Sequence, residues 1–259
     1  MDIYKKIDEL RKSNTPAALV TVVRTKGSVP REAGAKMIVL SDKKIYGTIG
    51  GSSVEGLIID EAVTAIKSNK PVMVSHDLND EEAKDTGMVC GGNMDFFIEP
   101  LNQMERLYVF GGGHVALPLV QMAAKIGFDV LVIDDRAEFA SKERFPESSD
   151  CYVTDPGIFS SDLETTDRDY IVIVTRGHKD DYAVLKGVIK KPFRYLGMIG
   201  SKVKKKEIYT KLKENDGVTE TMLEKVHCPI GLPIGAETPE EIAVSILAEL
   251  VQERRKNQK

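Results

Sequence analysis

The residues with chemistry to offer sit mostly in glycine-rich turns. Gly111-Gly112-Gly113-His114-Val115-Ala116 fits the pattern G-x-G-x-x-A. In that pattern Gly111 makes the tight turn, Gly113 lets backbone approach a pyrophosphate, and Ala116 keeps helix and strand close. The helix N-terminus behind it offers unpaired amides and a positive dipole end. Asp134 follows at roughly the 20-residue spacing where a carboxylate accepts a ribose hydroxyl. Arg136, beside it, leaves a 2′-phosphate open, so NAD and NADP both stay candidates. Gly200-Ser201-Lys202 is a second anion candidate, where amides, a hydroxyl and an ammonium converge after a strand. Lys204, Lys205 and Lys206 read as a solvated helix face.

Three further groups lie nearer the start. Gly27-Ser28-Val29-Pro30-Arg31 opens a loop after a strand, and Gly47-Thr48-Ile49-Gly50-Gly51-Ser52 follows, with Glu55 just inside the next helix. Clustered glycines turn amides toward an anionic ligand, and Arg31 can fork onto it. Hairpin turns account for the same residues on local chemistry alone. Cys90-Gly91-Gly92 sets a thiol on bare backbone, where a thiolate acts as nucleophile or soft-metal ligand; a lone cysteine is more often inert. Arg176-Gly177-His178-Lys179-Asp180-Asp181 reads as a binding loop in which Asp180 caps the next helix. No His-Glu-x-x-His or paired-cysteine spacing points to zinc.

These groups need elements to position them. Ile3, Ile7 and Leu10 repeat at helical spacing. Ala17 to Thr25, Lys36 to Leu40, Ile45 to Thr48, Pro71 to Ser75 and Asp95 to Glu99 read as strands, and Val54 to Lys67 as a helix. That stretch, residues 1–103, lacks a βαβ rhythm and reads as a small α+β domain. From residue 104 to 259 apolar strands alternate with helices. Strands are expected at Leu107 to Phe110, Asp129 to Ile133, Cys151 to Thr154, Tyr170 to Val174 and Arg194 to Met198. Helices are expected at Val115 to Ile126, Tyr182 to Lys190 and Lys202 to Lys213. This is an α/β fold with a Rossmann-type parallel sheet covered on both faces. A last helix starts at Thr238 with Pro239 and Glu241 in a capping box.

Composition bounds the function classes. The 259 residues are 42% hydrophobic and 29% charged, with a net charge of −4. No basic field invites nucleic acid or an anionic membrane. No apolar run approaches the roughly 18 residues of a membrane span, and the first residues lack a signal-peptide pattern. Three separated cysteines argue against a disulfide framework and for a cytoplasmic protein. A two-fold homodimer is the base-rate expectation.

As an ordered set these motifs resemble the XdhC/CoxI family, accessory factors of xanthine dehydrogenase and related molybdenum hydroxylases. The set is Gly27-Ser28-x-Pro30-Arg31, the Gly47 to Glu55 stretch, Cys90-Gly91-Gly92, Phe110 to Ala116, Asp134-Asp135-Arg136, Leu196 to Ser201 and Pro229 to Ala243. The resemblance implies a maturation chaperone rather than a catalyst. It would bind molybdenum cofactor (molybdopterin), shelter it during sulfuration, and insert it into an apo molybdenum hydroxylase, with a cysteine desulfurase as further partner. Position by position it implies cofactor contacts at Arg31, Gly50, Gly51, Glu55, Cys90, Gly91 and Gly92. On the Rossmann motif it implies Gly111, Gly113, His114 and Asp134. Cys90 would be the thiolate for molybdenum or sulfur. Ser52 stands where the family stretch ends in a third glycine, adding a Cβ and a hydroxyl. The rival reading is an NAD(P)-dependent oxidoreductase with His178 as acid/base. A third is a nucleotide-sensing interaction module.

Overall fold

The computed structural model describes residues 2–77, 92–101 and 104–256. The chain divides into two compact units, Met1–Met104 and Glu105–Lys259.

The first unit is built on an antiparallel sheet. Its strands are β1 (Ala17–Gly27), β2 (Lys36–Leu40), β3 (Ile45–Gly47), β4 (Val72–Asp77) and β5 (Gly92–Leu101), in the order β3-β2-β1-β5-β4. Alternation sends successive residues of β1 to opposite faces. Ala18, Val20 and Val22 join a core with Met37, Val39, Phe96 and Ile98, completed by Ile58 and Ala62 of α2 (Ser52–Ser68). Ala17 instead joins Ile38, Leu40 and Leu101 against α1 (Ile3–Lys12), where Leu10 is buried and Ile3 and Ile7 pack at the margin. The expected strand pattern therefore stands, but β1 and β5 run longer than alternation alone suggests. They pair from Ala17↔Leu101 to Gly27↔Gly92. The ladder carries β1 past its last apolar residue, while the longer β5 takes in buried Met94 and Leu101.

The second unit holds a parallel sheet of β6 (Glu105–Phe110), β7 (Phe128–Asp134), β8 (Asp150–Val153), β9 (Tyr170–Ile173) and β10 (Tyr195–Met198). Their order is β10-β9-β6-β7-β8. Both faces are covered. Leu107 and Val109 point to α3 (Ala116–Lys125) and α8 (Pro239–Arg255). Tyr108 and Phe110 point to the side of α5 (His178–Val188) and α6 (Lys202–Asp216). The chain builds outward from β6 to β8, then returns to the other side for β9 and β10. That reversal makes a switch point at the carboxyl ends of β6 and β9, where open α/β sheets bind ligands.

Two short helices have no counterpart among the sequence expectations. These are α4 (Pro156–Asp162), whose Asp155 cap accepts from the Gly157 and Ile158 amides at 2.8 and 2.9 Å, and α7 (Glu220–Leu223). The α5 start also differs. It begins at His178, four residues before Tyr182, with Gly177 as N-cap and no side-chain capping bond. Asp180 does not cap it. The α8 capping box is present as expected, with Thr238 and Glu241 each bonded to the other's amide.

Candidate functional site

The three glycines after β6 do three different jobs. Gly111 adopts a φ of +102°, and its amide donates to Ile133 O at 2.7 Å. A Cβ there would stand 2.8 Å from Thr175 Cα, so this glycine lets the turn pass against the segment after β9. A Cβ on Gly112 would overlap the Phe139 carbonyl oxygen. Gly112 is thus packed under the loop after β7, with its carbonyl accepting from Arg144 Nε at 3.0 Å. Gly113 differs from both. Its φ is not left-handed, and no atom lies within 4 Å of a Cβ built on it. The fold does not require a glycine at that position. What remains is bare, open backbone just ahead of α3, whose Val115 N-cap supplies no capping bond. Open backbone ahead of a helix N-terminus leaves room for a pyrophosphate. His114 beside it is exposed.

Asp134 closes β7 at the expected place but is 4% exposed. Its Oδ1 accepts from Arg136 N at 3.1 Å and Arg136 Nε at 2.9 Å. Its Oδ2 accepts from Gly112 N at 2.9 Å and Arg136 Nη2 at 3.0 Å. Burial pushes this carboxyl up, but the Arg136 fork and the two amides outweigh it and hold it below its ordinary range. The Arg136 guanidinium lies 3.6 Å from the Phe139 ring centroid, and Arg144 lies 5.0 Å from the same ring. Asp135 pairs with Arg176 at 2.7 Å. The motif spacing points to Asp134 and carries no signal for Arg144 or Phe139.

On the α5 and α6 side, His178 is 64% exposed, with Nδ1 3.6 Å from Glu207 Oε2. Together with Lys179, Tyr182, Lys211 and Asn215 it lines a groove of about 490 Å³. Ser201 caps α6 by accepting from Lys204 N at 3.2 Å, and Lys202 is exposed at the first helical position. The lysine run is not one solvated face. Lys204 pairs with fully buried Asp181, which also accepts from Thr175 Oγ1 at 2.6 Å. Lys205 donates to Cys228 O at 2.9 Å, and only Lys206 stands free of the core surface. Burial pushes Asp181 up despite Lys204 and Thr175, and pushes the Cys228 thiol up as well.

In the first unit, the glycine motifs converge at one end of the sheet. A Cβ on Gly50 would stand 2.5 Å from Pro30 Cγ, and one on Gly92 would stand 2.6 Å from Lys26 O and 2.7 Å from Ser28 O. The Gly27–Arg31 loop therefore touches both other motifs. Glu55 ties the second motif together: its Oε2 accepts from Thr48 Oγ1 at 2.6 Å, Ile49 N at 3.2 Å and Gly51 N at 3.1 Å. Gly51 is the N-cap of α2, with φ +74°, open space around it and no capping side chain. Arg31 is exposed. A groove of about 600 Å³ runs alongside, lined by Arg24, Lys26, Gly27, Gly92, Asn93 and Asp95 among others. Cys90 and Gly91 lie outside the described residues. Among the described residues no group of three His, Cys, Asp or Glu side chains is placed to hold a metal ion. No described helix is long and apolar enough to cross a membrane.

Comparison with known proteins adds the lineage. A family model described as the XdhC Rossmann domain matches residues 107–250, and one described as the XdhC and CoxI family matches residues 10–77. The chain is 36% identical over 254 residues to YqeB of Escherichia coli K12, covering 97% of this chain and 46% of that protein. It therefore spans about half the length of that relative. It is 21% identical to a protein of Bacillus subtilis 168 described as a probable subunit of xanthine dehydrogenase, with 98% of each chain covered. A crystal structure titled a xanthine dehydrogenase from Bacillus halodurans shares the fold, with a TM-score of 0.54 and 22% identity over 99% of this chain and 97% of that one.

Proposed function

We propose, from the premise that this chain belongs to the XdhC and CoxI family, that it is an accessory protein of a molybdenum hydroxylase of the xanthine dehydrogenase type. Its cargo is the molybdenum-pterin cofactor, which it holds while a terminal sulfur is installed and then passes to the apo-enzyme. The observation that carries this reading is the meeting of Pro30-Arg31, Gly50-Gly51 and Gly92 at one end of the first sheet.

The chemistry suits such a cargo. The α2 N-terminus has no capping side chain, Gly51 leaves its surroundings open, and Arg31 projects into solvent beside Gly50. A helix dipole end and a guanidinium together favour a phosphate monoester. Glu55 holds the amides of Ile49 and Gly51 in place rather than facing the ligand. Cys90, two residues before Gly92, is the thiolate proposed for molybdenum or sulfur, since soft thiolates suit such metals. A cysteine desulfurase is the proposed sulfur source, and the cytoplasm the proposed compartment.

Protein purified from cells making molybdenum cofactor should carry molybdenum and pterin in equal, stoichiometric amounts. Metal analysis and fluorescence of the oxidised pterin measure both. Protein free of either, purified alongside a client that is loaded, would rule out the cargo role. The Cys90→Ala variant should keep its fold yet fail to deliver sulfurated cofactor to apo-enzyme.

A further inference from the structure

The Rossmann fold implies a dinucleotide, and the residues present fit one at the pyrophosphate end, where Gly113 is bare and open. The ribose end departs from the expected arrangement. A carboxylate has about four lone-pair sites, and Asp134 fills all of them. Two go to Arg136 Nε and N, one to Arg136 Nη2 and one to the Gly112 amide. A ribose hydroxyl that needs an acceptor finds none there without expelling Arg136 from a buried fork. What Asp134 presents outward is instead the back of a guanidinium.

We propose that the second unit selects a nucleotide carrying a phosphate on its adenosine ribose, the NADP(H) class, and that Arg136 and Arg144 receive that phosphate. Among the described residues Arg136 Nη1 has no hydrogen-bond partner, and the guanidinium plane is fixed by the fork and by Phe139 at 3.6 Å. Arg144 donates through Nε to Gly112 O, and among the described residues its terminal nitrogens have no hydrogen-bond partner. Two guanidiniums on one ring thus offer donors around the glycine turn, and donors are what a phosphate needs. Nearby Asp135 pairs with Arg176 at 2.7 Å and also lies 3.8 Å from Arg136 Nε. Glu138 adds a negative field on Arg136, so selection rests on fixed donors rather than on net charge. This inference concerns the second unit alone and is independent of the molybdenum cargo.

Calorimetric titration of the full chain with ADP carrying an added 2′-phosphate and with plain ADP, which differ in that one group, tests it directly. The 2′-phosphorylated nucleotide should bind about tenfold tighter or better, a difference of about 1.4 kcal/mol. Arg144→Gln should abolish most of that preference, read as the ratio of the two affinities, because the 2′-phosphate loses one of its two guanidiniums. Arg136→Gln uncovers Asp134, so its thermal unfolding is measured first; where it folds, it too should lose the preference. Equal binding, tighter binding of ADP, or no binding of either nucleotide overturns the proposal. So does an Arg144→Gln protein that keeps the full preference.

Discussion

The Tyr195 hydroxyl donates to Glu249, tying edge strand β10 to α8. The same carboxylate accepts from Gly231 N at 2.8 Å and bonds His227 Nδ1 at 2.8 Å. One side chain therefore holds the strand, the helix and the Pro229–Gly235 turn in register. Burial pushes Glu249 up, but His227, Tyr195 and the Gly231 amide outweigh it and leave it below the ordinary glutamate range. Burial and Glu249 push Tyr195 upward.

Glu249→Ala strands a buried hydroxyl and a partly buried amide, which should cost roughly 2–4 kcal/mol in urea unfolding at neutral pH. The sign with pH follows from the lowered folded-state value. The stabilisation is complete above the ordinary glutamate range and is lost as pH falls through the lower folded value. Glu249→Gln should flatten that acid limb. An unchanged urea midpoint in the alanine variant would contradict the network.

The glycine turn gives a paired test. Gly112→Ala drives a methyl into the Phe139 carbonyl and should cost at least about 2 kcal/mol, or displace the loop. Gly113→Ala meets nothing and should stay within about 0.5 kcal/mol of the parent while weakening nucleotide binding. Thermal melts of both proteins, with and without nucleotide, decide it. Equal destabilisation of the two would show that Gly113 is structural after all.

Asp181 and Lys204 should behave as a coupled pair. Asp181→Ala leaves an ammonium that is 12% exposed without its partner and should cost about 3–5 kcal/mol. Adding Lys204→Met should recover part of that loss. A double-mutant cycle with no coupling energy would mean the pair contributes nothing.

Glu55→Ala should speed hydrogen exchange at the Ile49 and Gly51 amides by about tenfold or more, since both lose their acceptor. Glu55→Gln, which keeps an acceptor oxygen, should restore much of the protection. Unchanged exchange in the alanine variant would separate Glu55 from the loop.

Much of the fold is legible in the chain, for reasons that differ by residue. Parallel strands buried on both faces are continuous apolar runs, so β6, β7 and β9 stand out, and Thr238-Pro239 with Glu241 announces α8. Spacing alone puts Asp134 at the end of β7. Its saturation by Arg136 is not visible, because a motif fixes where a carboxylate sits and not what the following loop does to it. Lys204 reads as solvated because charge runs usually are, and its partner Asp181 is brought near only by helix packing. The α5 start is hidden because Gly177 caps nothing with a side chain and so leaves no capping signature. The convergence of Pro30, Gly50 and Gly92 depends on strand pairing between residues far apart in sequence.

The order of strands in the first unit also governs how it is made. β5 lies between β1 and β4, so β4 has no neighbour in the sheet until residues 92–101 arrive, and Ala17 waits for Leu101. A chain emerging from the ribosome must keep two unpaired strand edges from engaging other chains until its last ladder closes. Shortening this unit before Leu101 therefore removes the middle of the sheet rather than its margin.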